Sequence, residues 1–164
     1  MVLSAQIFLF YIEGFLMTLS GLYLFNLPIK MKRVCIVSVL HAFFTYIVRG
    51  IFLLYHFPFG THSLIIWFLL FLAIKNILKL SWLQSMLVTL MGIGLLLFGE
   101  GVFLLPIMKF LGVDMVTMSQ NVKTILLATV VTDIPMLFTI FISSKIKNPL
   151  IDLGDLDDPQ KMKM

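Results

Sequence analysis

The sequence predicts an all-α membrane protein, a polytopic bundle of about five transmembrane helices. Of its 164 residues, 60% are hydrophobic and only 12% are charged, and the mean hydropathy is +1.08. A soluble domain of this length is roughly 45–50% apolar and about 25% charged. This chain therefore has too few charges to cover a core with a solvated surface, and the same composition excludes disorder. The expected surroundings are a lipid bilayer, which a helix of about 20 apolar residues can cross.

Five long apolar runs are separated by charged segments, prolines and glycines. The polar segment 26–33 ends the first run, and 56–62, with its proline and glycine, predicts a turn. Ser81 begins the fourth run and forms with Gln84 the spacing of a capping box, while Pro106 is expected to end that run. Strand-like alternation is absent, so an outer-membrane barrel is not expected. The runs cover about residues 2–25, 34–55, 63–78, 81–105 and 124–144, within one membrane domain over 1–148.

The basic residues predict the orientation of the bundle, because Lys and Arg accumulate on the cytoplasmic side. Nine of the twelve lie in 26–33, in 75–80 and after the fifth run, whereas Lys109 and Lys123 lie on the opposite side. This bias predicts a multi-pass protein of the cell membrane with its N-terminus outside and its C-terminus in the cytoplasm. Residues 149–164 are then a polar cytoplasmic tail. The first residues lack the basic start of a signal peptide, so no cleavable leader is expected.

The segment 107–123 is too polar to span the bilayer. It contains apolar residues such as Met108, Phe110 and Met115, and we expect a loop with a short helix lying in the outer interface. Loops of this length in compact chains are often functional. The segment is therefore a candidate lid over the outer half of the bundle.

Four ionisable residues inside the spans form the candidate site, called here the polar cluster: Glu13, Arg49, Glu100 and Asp133. A charged side chain at mid-membrane is costly, so each is a functional candidate. Since a helix rises about 1.5 Å per residue, Arg49 and Glu100 lie at similar depth below the outer surface, with Glu13 and Asp133 near the middle. Arginine stays charged, and Glu100 is its expected partner. Three interpretations stay open: a buried ion pair that fixes packing, a ligand pocket open to the outside, and a proton or cation path.

Four glycines surround Glu100 on the fourth run, at positions 92, 94, 99 and 101. Small residues let membrane helices approach closely, and close packing is the first interpretation. The alternative is that they make room for a ligand beside Glu100.

The motifs of catalysis and metal binding are missing from the sequence. Cys35 is the single cysteine, which excludes a disulfide or CxxC site within one chain, and it faces away from His41 on the same predicted helix. His41 is expected to be a hydrogen-bonded interhelical residue. His56 and His62 flank the outer turn without a nearby third ligand. There is no HExxH, GxSxG, Walker or GxGxxG pattern. We therefore expect no enzyme activity, no cofactor, no metal and no nucleic-acid partner.

Tyr46-Ile-Val-Arg49, followed by Phe57-Pro-Phe-Gly-Thr-His62, occurs together with Glu13 in the first span and Gly99-Glu100 in the fourth. With this combination the chain resembles the N-terminal multi-span membrane sensor region of GHKL-type sensor histidine kinases of Gram-positive bacteria, a class that includes the peptide-pheromone receptors. The resemblance covers about residues 3–148. The phospho-acceptor helix and ATP-binding boxes of those kinases are not in this sequence. The resemblance thus implies a sensor part without a kinase part.

The sequence therefore favours a non-enzymatic sensing or partner-binding membrane module in signal transduction, with a kinase or another membrane protein as its partner. A small transporter component is an alternative, because the substrate-binding subunits of vitamin uptake systems have about this size and number of spans. A structural accessory membrane subunit, whose charges serve packing alone, is the third hypothesis.

Overall fold

A computed structural model describes residues 2–55, 61–112 and 122–146, and over these ranges the chain is helical without strands. The helices are α1 (Val2–Leu24), α2 (Met31–Tyr55), α3 (Thr61–Leu78), α4 (Trp82–Phe98), α5 (Leu105–Leu111) and α6 (Val122–Lys145), with a π-helical turn, Gly99–Leu104, between α4 and α5. The described residues contain five stretches long and apolar enough to cross a membrane: 6–24, 31–52, 61–78, 82–111 and 123–145. The predicted all-α membrane bundle is confirmed.

Helix α1 is the centre of the bundle. It packs against α2, α4 and α6, whereas α3 packs against α2 and α4. Half of the apolar window of α1 is buried inside the bundle, against 28–33% for the other four spans. The core around it contains Leu22, Val34, Val37, Leu70, Ile74, Val88 and Met136. Large apolar side chains such as Phe43 and Phe138 are exposed on the outside, as expected for a surface that faces lipid. A polar residue on α1 is therefore surrounded by other helices.

Glycines bring α1 and α4 into close contact. A Cβ atom added to Gly21 would lie 2.6 Å from the carbonyl oxygen of Val88, and one added to Gly92 would lie 2.8 Å from that of Met17. A Cβ atom added to Gly94 would have no neighbour within 4 Å among the described residues. The packing interpretation of the glycines is thus confirmed for Gly92, while Gly94 serves no close approach between helices.

The α3–α4 hairpin is closed at one end by polar and aromatic contacts. The Ser81 hydroxyl accepts from the N–H of Gln84 at 3.2 Å, and the Gln84 side-chain oxygen accepts from the N–H of Ser81 at 3.2 Å. The predicted capping box is confirmed. The Lys75 ammonium lies 3.1 Å from the ring centroid of Trp82, and the Trp82 and Phe71 ring centroids are 5.4 Å apart. α3 and α4 are therefore held together at this end.

The fourth span is longer than the sequence predicted. The prediction that Pro106 ends it is wrong, because helical backbone continues through the π-helical turn and α5 to Leu111. In that turn the Leu105 N–H donates to the carbonyl of Glu100, five residues earlier. Pro106 is then the second residue of α5, where a missing N–H is tolerated. α5 ends at Gly112, in the left-handed conformation with φ of 64°.

Part of the predicted interfacial segment is therefore helix. Residues 107–111 belong to α5, with Met108 buried and Phe110 90% exposed. Residues 113–121 of that segment lie outside the described residues, as do residues 56–60 of the predicted turn and the predicted tail at 149–164. The last two residues of the predicted turn, 61 and 62, belong to α3.

Candidate ligand site in the helix bundle

The four residues of the polar cluster border one cavity, although each belongs to a different helical segment. Glu13 on α1, Arg49 on α2, Glu100 on the π-helical turn and Asp133 on α6 all line a space of about 220 Å³. Further polar residues on its wall are Gln6, Thr129 and Thr132. From the sequence, only the depth of each residue in the membrane could be estimated. The fold places all four residues on the wall of one cavity.

A second, larger cavity of about 350 Å³ adjoins the first and shares Glu13, Arg49 and Glu100 with it. Its remaining wall is mostly apolar: Met17, Leu64, Ile66, Trp67, Leu90, Ile93, Leu96 and Leu97. Leu64 on α3 is 69% exposed and Leu97 on α4 is 59% exposed. Because these two lining residues are exposed, the cavity is not sealed from the surroundings of the bundle on the side of α3 and α4.

His41 belongs to this site, although sequence reasoning did not include it. Its side chain is 2% exposed, and its Nε2 lies 3.9 Å from a carboxylate oxygen of Glu13 and 3.4 Å from the Thr45 hydroxyl. A Cβ atom on Gly14 would lie 2.6 Å from the imidazole ring, so the glycine makes room for the ring beside Glu13. Its Nδ1 has no hydrogen-bond partner in the described part of the chain. The Glu13-Gly14 pair was the signal in the sequence that could have identified this contact.

Arg49 is not paired as the sequence predicted. Among the described residues, His41 and Glu13 lie within ion-pair distance, a contact that is a salt bridge only when His41 is protonated, and no salt bridge joins Arg49 to Glu100. The Arg49 guanidinium carbon instead lies 4.7 Å from the ring centroid of Phe10, a cation–π contact. The prediction of a direct pair was wrong because a similar depth in the membrane does not fix the direction in which each side chain leaves its helix. Both still line the two cavities.

Asp133 is the most deeply buried carboxylate of the polar cluster, at 4% exposure, and its Oδ1 has no hydrogen-bond partner within the described ranges. Its position follows from a close contact one residue earlier, where a Cβ atom added to Gly99 would overlap the carbonyl oxygen of Thr132. Gly99 thus lets the π-helical turn approach α6 and sets Glu100 and Asp133 on one cavity. A Cβ atom added to Gly101 would have no neighbour within 4 Å in the part of the chain that the structure describes.

The carboxylates are spread around the cavity walls. Over residues 2–55, 61–112 and 122–146, no group of three His, Cys, Asp or Glu side chains is arranged to hold a metal ion. His62, at the start of α3, lies edge-on to Phe52 with ring centroids 5.8 Å apart, and His56 lies outside the described residues. The geometry is that of a space bordered by charges on several sides.

Comparison of the chain with protein-family models, with curated proteins and with solved structures gave no match. The class of protein is therefore defined by its fold and its site. The chain is a multi-pass membrane protein whose helix bundle has charged residues on the walls of two adjoining cavities.

Proposed function

We propose that this protein is a non-enzymatic sensing module of the cell membrane, whose two cavities bind a ligand and whose helices pass the binding event to a partner, a kinase or another membrane protein. The observation that carries the proposal is the convergence of four intramembrane ionisable residues on one cavity, without a salt bridge between Arg49 and Glu100. Charges kept only for packing are expected to pair with one another. Charges that border an open space are available to a ligand.

The residues that carry the resemblance to sensor-kinase membrane regions support the sensing role. Glu13, Arg49 and Glu100 belong to the segments on which that resemblance rests, and all three line both cavities. In the proposed orientation, with the N-terminus outside, these residues lie in the outer half of the bundle. A ligand arriving from outside would then reach them before any cytoplasmic segment.

Sensing requires a ligand that prefers one of two helix arrangements, since a ligand with equal affinity for both shifts nothing. A ligand in these cavities would contact several helices at once. The π-helical turn and Pro135 inside α6 are points at which helices commonly bend. Both lie next to polar-cluster residues, Glu100 and Asp133. We propose that changes of the bend at these points transmit occupancy of the cavities.

Native mass spectrometry of the protein purified from its own host membranes tests the proposal. Ile93→Trp places a large side chain in the wall of the larger cavity, and Ile65→Trp is the matched control because Ile65 is 44% exposed on α3 and does not line it. We expect a small-molecule adduct on the unmodified protein and on Ile65→Trp, and its loss from Ile93→Trp. Spectra that are identical for all three proteins would contradict the proposal.

A small transporter component is the second candidate, favoured by the size of the larger cavity, about 350 Å³ between membrane helices. Cross-linking in host membranes followed by purification separates the two functions. A kinase as the cross-linked partner supports sensing. An ATPase subunit as the partner, together with uptake of the adduct molecule into cells, supports transport.

A further inference from the structure

We propose that the ligand of the two cavities is an amphiphilic organic cation, a protonated primary or secondary amine with an apolar body. This assignment of a ligand class rests on the proposed function of the cavities as a ligand site. It follows from the charges, the unpaired buried oxygen of Asp133 and the shape of the walls.

The charges on the walls favour a cation. The smaller cavity is bordered by three carboxylates, Glu13, Glu100 and Asp133, and by one guanidinium, that of Arg49. Arg49 contacts Phe10 and forms no salt bridge within the described residues. His41 lies 3.9 Å from Glu13 on the wall of the larger cavity, so Glu100 and Asp133 are the carboxylates left without a cationic partner in the described part of the chain. In surroundings of low dielectric constant, an excess of negative groups attracts positive charge strongly. An ammonium group near Glu100 and Asp133 reduces this excess.

The spacing of the carboxylates favours an organic cation over a metal ion. A chelated ion needs several ligands that converge within about 2–2.6 Å of one point, and the described residues contain no such group. The carboxylates instead border adjoining spaces of about 220 and 350 Å³. These volumes fit a molecule with many heavy atoms and leave a bare ion without most of its ligands.

The unpaired buried carboxylate oxygen of Asp133 favours an amine that carries N–H groups. Oδ1 of Asp133 is an acceptor without a donor, on a side chain only 4% exposed. A buried polar atom left without a hydrogen bond destabilises the protein. A primary or secondary ammonium supplies the missing donor. A quaternary ammonium carries the same charge but has no N–H and leaves Asp133 unsatisfied.

The larger cavity accounts for the apolar body of the ligand. It shares Glu13 and Glu100 with the smaller cavity, and its other walls are mostly aliphatic, with the indole of Trp67 on α3. Two of its lining residues, Leu64 on α3 and Leu97 on α4, are exposed apolar side chains. An amphiphilic amine dissolved in the bilayer can therefore enter from the side, with its ammonium group toward the carboxylates and its chain along Trp67.

A set of eight-carbon probes tests the ligand class. The chain contains two tryptophans, so Trp82→Phe leaves Trp67 in the cavity wall as the single fluorescent reporter. This protein is reconstituted in phosphatidylcholine nanodiscs and titrated with n-octylamine, n-octanol, octanoate and octyltrimethylammonium. We expect a saturable change of Trp67 fluorescence with octylamine, and affinities at least tenfold weaker for the three other probes.

Two substitutions then locate the ammonium group. In the Trp82→Phe background, Asp133→Asn and Glu100→Gln are each expected to weaken octylamine binding about tenfold or more while octanol binding stays unchanged. Lys145→Gln, which changes an exposed charge at the end of α6 away from both cavities, is expected to leave octylamine binding unchanged. The comparison of probes on the parent protein does not depend on whether these variants fold.

Several results would overturn the assignment. Equal affinity for octylamine and octanol would show that charge does not contribute to binding. Equal affinity for octylamine and octyltrimethylammonium would show that the N–H donor does not contribute. Native mass spectrometry can show an adduct that Ile93→Trp abolishes while the probes show no preference for octylamine. That combination refutes the cationic ligand but still supports the proposed ligand site. If neither an adduct nor saturable binding of any probe is found, the proposed function fails as well.

Discussion

Gly99 is the position at which one added methyl group should disturb the site most directly. The Gly99→Ala substitution places a Cβ atom where it overlaps the carbonyl oxygen of Thr132. That oxygen belongs to the backbone of α6 and cannot rotate away as a side chain does. The π-helical turn and α6 must therefore separate, which moves Glu100 away from Asp133. Gly101→Ala is the matched control, because nothing among the described residues lies within 4 Å of its added Cβ.

The size of the effect follows from two opposing terms. Overpacking of a tight contact typically costs about 1–3 kcal/mol, and a clash with backbone falls toward the upper end of that range. Replacing a helical glycine by alanine gains up to about 1 kcal/mol of helix propensity, and both substitutions share this gain. Gly99→Ala is therefore expected to be less stable than Gly101→Ala by about 2–3 kcal/mol. Since each 1.4 kcal/mol changes an equilibrium constant about tenfold, the unfolding equilibrium constants should differ by more than tenfold.

The free energy of unfolding can be measured by steric trapping or by titration with sodium dodecyl sulfate in mixed micelles. Octylamine binding, read from Trp67, should fall in Gly99→Ala and persist in Gly101→Ala. Equal stability of the two variants would show that the approach of the π-helical turn to α6 is wrong. It would also remove the reason for which Glu100 and Asp133 share a cavity.

Three further predictions follow from the caps, the charges and the orientation. Ser81→Ala should cost about 1 kcal/mol of unfolding free energy through loss of the capping box, and an unchanged stability would argue against that cap. A double-mutant cycle of Arg49→Gln and Glu100→Gln should give a coupling below about 0.5 kcal/mol, whereas a coupling of several kcal/mol would restore the buried pair. A reporter fused at Gly112 should report the outside and one fused after Lys147 the cytoplasm, and a cytoplasmic Gly112 fusion would refute five spans in the predicted orientation.

The fold class and the membership of the cluster could be predicted because they depend on composition and on single positions. In lipid, each backbone polar group must be satisfied within a helix or a closed barrel. Long apolar runs without strand-like alternation therefore predict membrane-spanning helices. An ionisable residue inside such a run is visible in the sequence without knowledge of its neighbours. For this reason Glu13, Arg49, Glu100 and Asp133 were identified before the cavity that they line.

The partners of these residues could not be predicted, because partners depend on helix rotation and on local backbone. The similar depth of Arg49 and Glu100 in the membrane predicted that they pair. The two side chains form no salt bridge, and Arg49 contacts Phe10 on α1. The π-helical turn, with its bond from Leu105 to the carbonyl of Glu100, has no distinctive sequence pattern. The π-helical turn lets the helix continue past Pro106, although a proline within a helical pattern ordinarily predicts the end of the helix.

The contact between His41 and Glu13 could not be predicted for the same reason. A histidine within a span was expected to find a partner across helices, but its proximity to Glu13 depends on the space that Gly14 leaves for the ring. Such a contact requires both helices to be placed against each other. It becomes visible in a sequence only when a glycine next to a charged residue is interpreted as a place of close approach.

Photolabelling with an eight-carbon primary amine that carries a diazirine on its chain tests most directly whether the polar cluster and the apolar cavity form one ligand site. After illumination in nanodiscs, peptide mass spectrometry locates the labelled residues. We predict labels on the cavity wall, at Trp67, Ile93 and Leu97, that excess octylamine prevents. Labels spread over lipid-facing residues such as Phe43 and Phe138, unchanged by excess octylamine, would contradict the site.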